Sequence, residues 1–133
     1  MGIRIIEFRG KRKDNGEWVE GGIYYQKLDE VKEEAVYIIG GSLNDVGCAY
    51  EVIPETVGQY TGLKDKNGKK IFEGDIMKYG DTIHKVVFEQ KNGTAYFGLV
   101  YNKFETLPFG HYQDSKLNEV IGNIHSNPEL LEV

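Results

Sequence analysis

Two carboxylates flank a glycine in the segment FEGDI, with a spacing that is compatible with acid catalysis. Glu73 and Asp75 lie on either side of Gly74. On an extended strand, residues two apart point to the same side, so the two carboxylates would share one face. Glycosidases and some nucleases use such pairs. A small hydrolase or nuclease using Glu73 and Asp75 is therefore one hypothesis; we favour the alternative that Asp75 hydrogen-bonds the backbone of its own turn.

The stretch that contains this pair, from Gly58 to Gly80, also carries lysines near glycines. A Walker loop needs Gly, four residues, Gly-Lys and then Ser or Thr, between a strand and a helix. Here five residues separate Gly62 from Gly68, and Lys69 is followed by another lysine, which excludes that loop. Lysines beside exposed aromatic rings can instead bind single-stranded nucleic acid. The candidate interaction residues of this stretch are Tyr60, Lys64, Lys69, Lys70 and Asp75.

The remaining reactive residue types show no catalytic or metal-binding spacing. His84, His111 and His125 form neither His-x-His nor His-Glu-x-x-His. No serine or threonine lies in a nucleophile elbow. A single cysteine, Cys48, excludes an internal disulfide and a cysteine-rich zinc site. The sequence thus identifies no catalytic, cofactor-binding or metal-ligating residue, and we expect a protein that is not an enzyme and needs no cofactor.

Length and charge restrict the class of protein. The chain has 133 residues and a formal net charge of −5, which argues against a protein that coats nucleic acid through its whole surface. No apolar run approaches the roughly 18 residues that span a bilayer, and the start MGIRIIEFRGKRK does not fit a signal peptide. We expect one soluble, intracellular domain over residues 1–133, with no membrane partner. Two packed hairpin subdomains, of about residues 1–57 and 58–133, are the finer expectation.

Short runs of β-branched and aromatic residues, separated by glycine, predict a mainly β domain with little helix. The predicted strands are Arg4–Arg9, Glu17–Val19, Gly22–Lys27, Val36–Ile39, Tyr50–Ile53, Gln59–Thr61, Asp75–Tyr79, Thr82–Glu89, Ala95–Val100 and Glu119–Ile124. Two segments have helical composition. LDEVKEEA is short and poorly amphipathic, whereas NPELLEV starts with a capping Asn127 and Pro128 and predicts one terminal turn.

Three Asn-Gly pairs, at residues 15–16, 67–68 and 92–93, each predict a hairpin with a type I′ turn. The first two hairpins resemble each other further along the chain. DNGEWVEGGIYY and KNGKKIFEGDIMKY both read Asn-Gly, a charged spacer, an apolar pair, Glu-Gly, one residue and then Ile. We interpret the glycine after the strand as a bulge or a sharp corner, which a small, curved barrel of antiparallel strands would need.

Several of these segments together resemble a known family. VGQYTGLKDKNGKKIFEGDIMKYG, with YEVIPE before it, EVIGNIHSNPELLE at the end and FRGKRKDNGEWVEGGI at the start, is similar to the YopX family of small proteins encoded by phages and prophages of bacteria. The resemblance implies a mainly β, barrel-like domain. It implies no established activity and no catalytic residue. Its setting implies an accessory protein in the cytoplasm of the bacterial host.

From these patterns we expect a protein-interaction module that is not an enzyme. Its partner is an unidentified protein, and exposed sheet edges also predict a homo-oligomer. The alternatives are a single-stranded nucleic-acid-binding accessory protein and the small hydrolase or nuclease that would use the two acids at Glu73 and Asp75.

Overall fold

The computed structural model describes residues 5–28, 33–40, 48–102, 105–108 and 118–131. These residues form eleven strands and two 3₁₀ turns, and every ladder between described strands is antiparallel. The strands are β1 (Phe8–Lys11), β2 (Trp18–Leu28), β3 (Glu33–Gly40), β4 (Ala49–Val52), β5 (Gly58–Lys64), β6 (Lys70–Phe72), β7 (Asp75–Tyr79), β8 (Thr82–Lys91), β9 (Thr94–Asn102), β10 (Glu105–Pro108) and β11 (Asn118–Asn123). The mainly β prediction is confirmed.

The contacts divide the chain into two compact units, Met1–Tyr60 and Thr61–Val133. In the first unit the strand order is β4-β3-β2-β1-β5. Its core is made by Val36, Ile38 and Val52, which lie on one face of β3 and β4. Gly10 of β1 is required there, because a Cβ at this position would meet the Val52 side chain at 2.9 Å. β5 crosses into the second unit, where it lies beside β6.

In the second unit the described strands have the order β10-β9-β8-β7-β11. β7 lies between β8 and β11, so it is an interior strand, and its first three residues, Asp75, Ile76 and Met77, are buried. Apolar side chains from five strands pack into one core cluster, which consists of Ile71, Met77, Val86, Leu99 and Val120. Burial of this kind stabilises a fold by roughly 25 cal/mol per Å² of apolar surface, so the cluster contributes to the stability of the unit.

Closure into a barrel is not confirmed. In the strand order of the described residues, the end strands of each sheet do not pair with one another. One isolated bridge pairs Arg12, the residue after β1, with Val52 of β4. Backbone bonds from Lys13 N to Glu51 O and from Ile53 N to Lys11 O frame this bridge, at 3.1 and 2.9 Å. The bridge does not extend into a ladder, so the fold is described as two antiparallel sheets.

All three Asn-Gly hairpins are present, but only one has the predicted turn. Asn92 and Gly93 both have positive φ, 54° and 78°, as a type I′ turn requires. At residues 15–16 and 67–68 only the glycine has positive φ, 74° and 80°, so the type I′ prediction is wrong for these two turns. Their loops are longer than two residues, which removes the need for a primed turn.

The predicted strands and helical segments are also confirmed in part. The ten predicted strands overlap nine of the observed ones, while β6 and β10 were not predicted. Of the predicted strand Arg4–Arg9, only Phe8 and Arg9 lie in β1; residues 5–7 are not in a strand, and Arg4 lies outside the described residues. The helical interpretation of LDEVKEEA is wrong where the segment is described, because Leu28 ends β2 and Glu33 starts β3. Cross-strand pairing overrides the helical composition there. The terminal turn is confirmed as a 3₁₀ turn at Pro128–Leu131, and the other 3₁₀ turn is Pro54–Thr56.

Candidate functional site

Asp65 organises the lysine-rich hairpin between β5 and β6. Its Oδ1 accepts hydrogen bonds from the backbone N–H of Asn67 at 2.8 Å and of Lys69 at 2.9 Å. Its Oδ2 accepts from the backbone N–H of Val120 in β11, at 2.9 Å. Bonds between a charged carboxylate and N–H groups are stronger than neutral ones. The buried Asp65 side chain therefore fixes the hairpin tip and joins it to a strand 55 residues further along the chain.

The hairpin tip also covers one edge of the second sheet. β11 is an end strand of that sheet, and Lys66 N donates to Asn118 O there at 3.0 Å. Lys66 Nζ lies 3.6 Å from Glu119 Oε2. Together with the bond from Asp65 to Val120, these contacts occupy backbone groups that an edge strand would otherwise present to another chain. Asp65 was not among the predicted candidates, although an Asp two residues before Asn-Gly indicates a side chain that accepts from its own turn.

Burial and hydrogen bonding change the pKa of Asp65 in opposite directions. Burial by itself raises the pKa of Asp65. The N–H groups of Val120, Lys69 and Asn67, with the Lys69 charge, lower it, and the net effect holds the pKa of Asp65 below its ordinary value of 3.8. The carboxylate is therefore ionised at neutral pH, which is the form that accepts these bonds.

Asp75 is buried and bonds to the turn that precedes it. Its side chain is 1% exposed, and Oδ2 accepts from Phe72 N at 2.8 Å. Glu73 and Gly74 form a turn, in which Gly74 has a φ of 92°. The premise that Glu73 and Asp75 share one face of an extended strand is wrong, because β7 begins only at Asp75. The observed hydrogen bond is the one that the turn interpretation of Asp75 predicts.

The other predicted interaction residues differ in exposure. Lys64 and Lys69 are exposed, and Lys70 is half-buried. Tyr60 in β5 is 6% exposed. Stacking on a nucleic-acid base needs an accessible ring face, which Tyr60 does not present. The exposed lysines can thus contact an anion, but the Tyr60 ring is not available to stack on a base, contrary to what the sequence had suggested.

A group of exposed apolar side chains lies in β2. Ile23, Tyr24 and Tyr25 follow one another and are 38%, 54% and 52% exposed. The Tyr24 ring contacts that of Tyr37 in β3, with centroids 6.2 Å apart. Among the described residues, the ladder between β1 and β2 ends at Gly21, and β2 continues beyond it in a ladder with β3. We call Ile23, Tyr24 and Tyr25 the β2 patch; because side chains alternate along a strand, Ile23 and Tyr25 point to one face of the sheet and Tyr24 points to the other.

A cavity of about 340 Å³ lies beside His84 in the second unit. His84 is buried, its Nδ1 lies 3.1 Å from Val100 O, and its Nε2 lies 2.8 Å from Thr82 Oγ1. The Tyr101 ring lies over the imidazole at a centroid distance of 4.2 Å. The residues that line the cavity are Asp81, Thr82, Ile83, His84, Tyr101, Leu130 and Leu131. The sequence did not predict this arrangement, because its only local sign is the spacing of Thr82 and His84, two residues apart on a strand with Ile83 between them.

The described residues contain neither a cluster of metal ligands nor a helix that could span a membrane. No three His, Cys, Asp or Glu side chains in the described ranges are placed to hold a metal ion. His111 lies outside the described residues. In the same ranges, no helix has the length and apolar character needed to cross a membrane.

Comparison with known proteins identifies relatives. A family model described as YopX protein matches residues 7–132. Among solved structures, the crystal structure of protein EF1440 from Enterococcus faecalis is similar, with 30% sequence identity and a TM-score of 0.57. That match covers 96% of this chain and 98% of the EF1440 chain. Comparison with the curated proteins gave no match.

Proposed function

The chain belongs to the YopX family, and from that premise we propose that it is a protein-interaction module that acts by binding and not by catalysing a reaction. We place it in the cytoplasm of a bacterial host, as an accessory protein of a phage or prophage. The β2 patch is the observation that carries the proposal, because binding proteins use exposed apolar and aromatic surface that a folded domain does not need for its own core.

Tyrosine suits a patch of this kind. Its ring supplies apolar contact area, its hydroxyl stays hydrated or finds a partner, and protein interfaces are enriched in it. Tyr24 and Tyr25 are both about half exposed on a paired strand. Tyr24 is also supported from the side by Tyr37, which limits the side-chain entropy that binding would remove.

A second copy of this chain is the partner that we propose. Beyond Gly21, the described ladder of β2 is with β3, and among the described residues no strand lies along the other side of β2, next to the patch. Edges of this type add strands from other chains, and two identical edges pair antiparallel about a twofold axis. The homo-oligomer would then continue the sheet of the first unit, and side chains of the β2 patch would contact those of the partner strand on both faces of the sheet.

Light scattering coupled to size exclusion tests the proposal over a series of protein concentrations. We expect the wild type to exceed the monomer mass as concentration rises, and the double variant Tyr24→Ser, Tyr25→Ser to remain monomeric. Phe88→Ser is the matched control, since Phe88 is an exposed aromatic of β8, 41% exposed, outside the patch. A wild type that is monomeric at the highest concentration would contradict self-association. Loss of a captured host or phage protein in the double variant, from induced cells, would then assign the patch to a different partner.

A single-stranded nucleic-acid-binding function is the second candidate, and the exposure of Lys64 and Lys69 favours it. Lysine contacts to phosphates release counterions, so the affinity should fall steeply as salt rises. Fluorescence anisotropy with labelled single-stranded DNA and RNA measures this directly. We expect Lys64→Glu with Lys69→Glu to remove binding if the hairpin is the interface; no binding by the wild type at low salt would exclude it.

A further inference from the structure

Thr82 and His84 form a hydroxyl–imidazole pair on β8. The two residues are two positions apart on a strand, so their side chains point to the same face of the sheet. Thr82 Oγ1 lies 2.8 Å from His84 Nε2, within hydrogen-bond distance, and Thr82 is exposed whereas His84 is buried. The pair therefore offers a hydroxyl to solvent while its imidazole is held inside the protein.

The second ring nitrogen of His84 determines where the ring proton lies. Nδ1 faces Val100 O at 3.1 Å, and a carbonyl oxygen only accepts, so Nδ1 carries the hydrogen. In the neutral ring, Nε2 then has a lone pair directed at the Thr82 hydroxyl. This is the arrangement of an activated nucleophile: a hydroxyl, a base within hydrogen-bond reach, and a third group that orients the base.

The hydroxyl proton of Thr82 has two possible acceptors. Thr82 Oγ1 also donates to Tyr79 O, at 2.8 Å, across the turn between β7 and β8. One hydroxyl has one proton, so the bond to Tyr79 O and the bond to Nε2 of His84 alternate. Transfer of that proton to Nε2 breaks the bond from Thr82 Oγ1 to Tyr79 O.

The chain contains a matched hydroxyl without an imidazole. Thr94 follows the two-residue turn between β8 and β9 as Thr82 follows the turn between β7 and β8, and each pairs across its hairpin, with Lys91 and Tyr79 respectively. Thr94 is exposed and donates to Lys91 O at 2.6 Å. The residue two positions after Thr94 is Tyr96, where the other hairpin has His84.

We propose that Thr82 is an acyl-acceptor site, activated by His84 and oriented through the Val100 carbonyl, for a small ester or thioester donor. Oγ1 attacks the donor's carbonyl carbon, its proton passes to Nε2, and the bond from that carbon to the leaving oxygen or sulfur breaks. The leaving group departs as an alkoxide, phenolate or thiolate, or takes the proton back from Nε2. The product is a threonine ester, and the step requires no oxidant, reductant or metal.

The cavity beside the pair suggests the kind of acyl group. Leu130 and Leu131 form an apolar wall from the terminal 3₁₀ turn, and the volume of about 340 Å³ is at the lower end of the range for small-molecule sites. A short aliphatic or aromatic acyl chain fits this chemistry. The modification is independent of the β2 patch, which lies in the first unit.

Incubation of the full chain with p-nitrophenyl acetate tests the proposal, with nitrophenolate release and peptide mapping as readouts. We expect acetyl on the Thr82 peptide and at most background on the Thr94 peptide of the same sample. Thr82→Val should abolish the modification, Thr82→Ser should retain it, and Thr94→Val should leave it unchanged. His84→Gln should slow it at least about 100-fold, which is the low end of what a general base contributes.

Added imidazole distinguishes a base from a structural histidine. We expect it to restore part of the rate in His84→Gln and none in Thr82→Val. Equal acetylation of Thr82 and Thr94 in the wild type would overturn the proposal, as would an undiminished rate in a His84→Gln variant that circular dichroism shows to be folded. The comparison of the two threonines needs only the wild type, so it decides the matter even if His84→Gln does not fold.

Discussion

The two copies of the Asn-Gly repeat have the same sequence pattern and opposite burial. After the shared Glu-Gly, the second copy places Ile76 and Met77 in the core, both 0% exposed. The corresponding residues of the first copy, Ile23 and Tyr24, are the exposed residues of the β2 patch. The repeat therefore duplicates the chemistry of a turn, and the packing of each copy is decided by its neighbours.

The glycine of the Glu-Gly pair accounts for part of the difference. Gly74 has a φ of 92° and turns the chain before β7, while its N–H donates to Val86 O and its C=O accepts from Ile124 N. Those bonds insert the start of β7 between two strands. In the first copy β2 continues through Gly21 and Gly22 without a break. The predicted corner is thus confirmed at Gly74 and wrong in the first copy, which leaves a long strand with an exposed end.

The largest expected effect is a difference in the free energy of unfolding between alanine variants of Ile76 and Ile23. Ile76→Ala removes a fully buried side chain and should lower the free energy of unfolding by about 3 kcal/mol, within the range for such cavities. Ile23→Ala should cost less than about 1 kcal/mol, because much of that side chain is already hydrated. Urea unfolding of both variants measures the difference. Equal losses would mean that the β2 patch is packed as a core, and the contrast between the copies would be lost.

A second comparison concerns the acids near the two hairpin tips. Asp65→Ala leaves the N–H groups of Asn67, Lys69 and Val120 without their acceptor and should cost about 3 kcal/mol. Asp14 of the first copy is exposed and bonds to Arg12, at 2.9 Å from Nε and 2.6 Å from Nη2. Exposed ion pairs contribute little to the free energy of unfolding. We expect Asp14→Ala to unfold close to the wild type in the same urea titration; a loss as large as that of Asp65→Ala would contradict the distinction.

Acid should weaken the contribution of Asp65 to the stability of the folded protein. Because the folded pKa of Asp65 lies below its ordinary value of 3.8, its stabilisation is complete above that value and is lost as pH falls through the folded pKa. The gap in thermal midpoint between wild type and Asp65→Asn should be constant from pH 7 to about pH 5 and narrow below it. Arg12 lowers the pKa of Asp14 as well, but that group is present in both proteins and its effect cancels. A gap that widens in acid would show that Asp65 is protonated in the folded state.

Much of the fold was predictable because local chemistry determines it. β7 has the predicted bounds, since a glycine precedes it and another follows it, and all three Asn-Gly pairs lie in hairpins. Long-range contacts were not predictable from local patterns. The bond from Asp65 to Val120 and that from His84 to Val100 each join strands whose pairing depends on the whole sheet. For the same reason the sequence directed attention to Glu73 with Asp75, whereas the structure brings Thr82 and His84 together.

The third Asn-Gly hairpin provides the smallest and most local test. Asn92 has a φ of 54°, a conformation that costs a residue with an ordinary side chain about 1 kcal/mol and that Asn tolerates. Asn92→Ala should therefore lower the free energy of unfolding by about that amount, and Asn92→Gly should not, because glycine adopts positive φ freely. Asn67→Ala is the control, as Asn67 is an exposed turn residue whose φ is not positive. Urea titrations of the two alanine variants distinguish two causes of the loss. Equal losses for Asn92→Ala and Asn67→Ala would mean that the loss comes from removal of the asparagine side chain. A loss confined to Asn92→Ala would mean that it comes from the positive φ, which the two-residue hairpin requires at its asparagine and the longer loops of the first two copies do not.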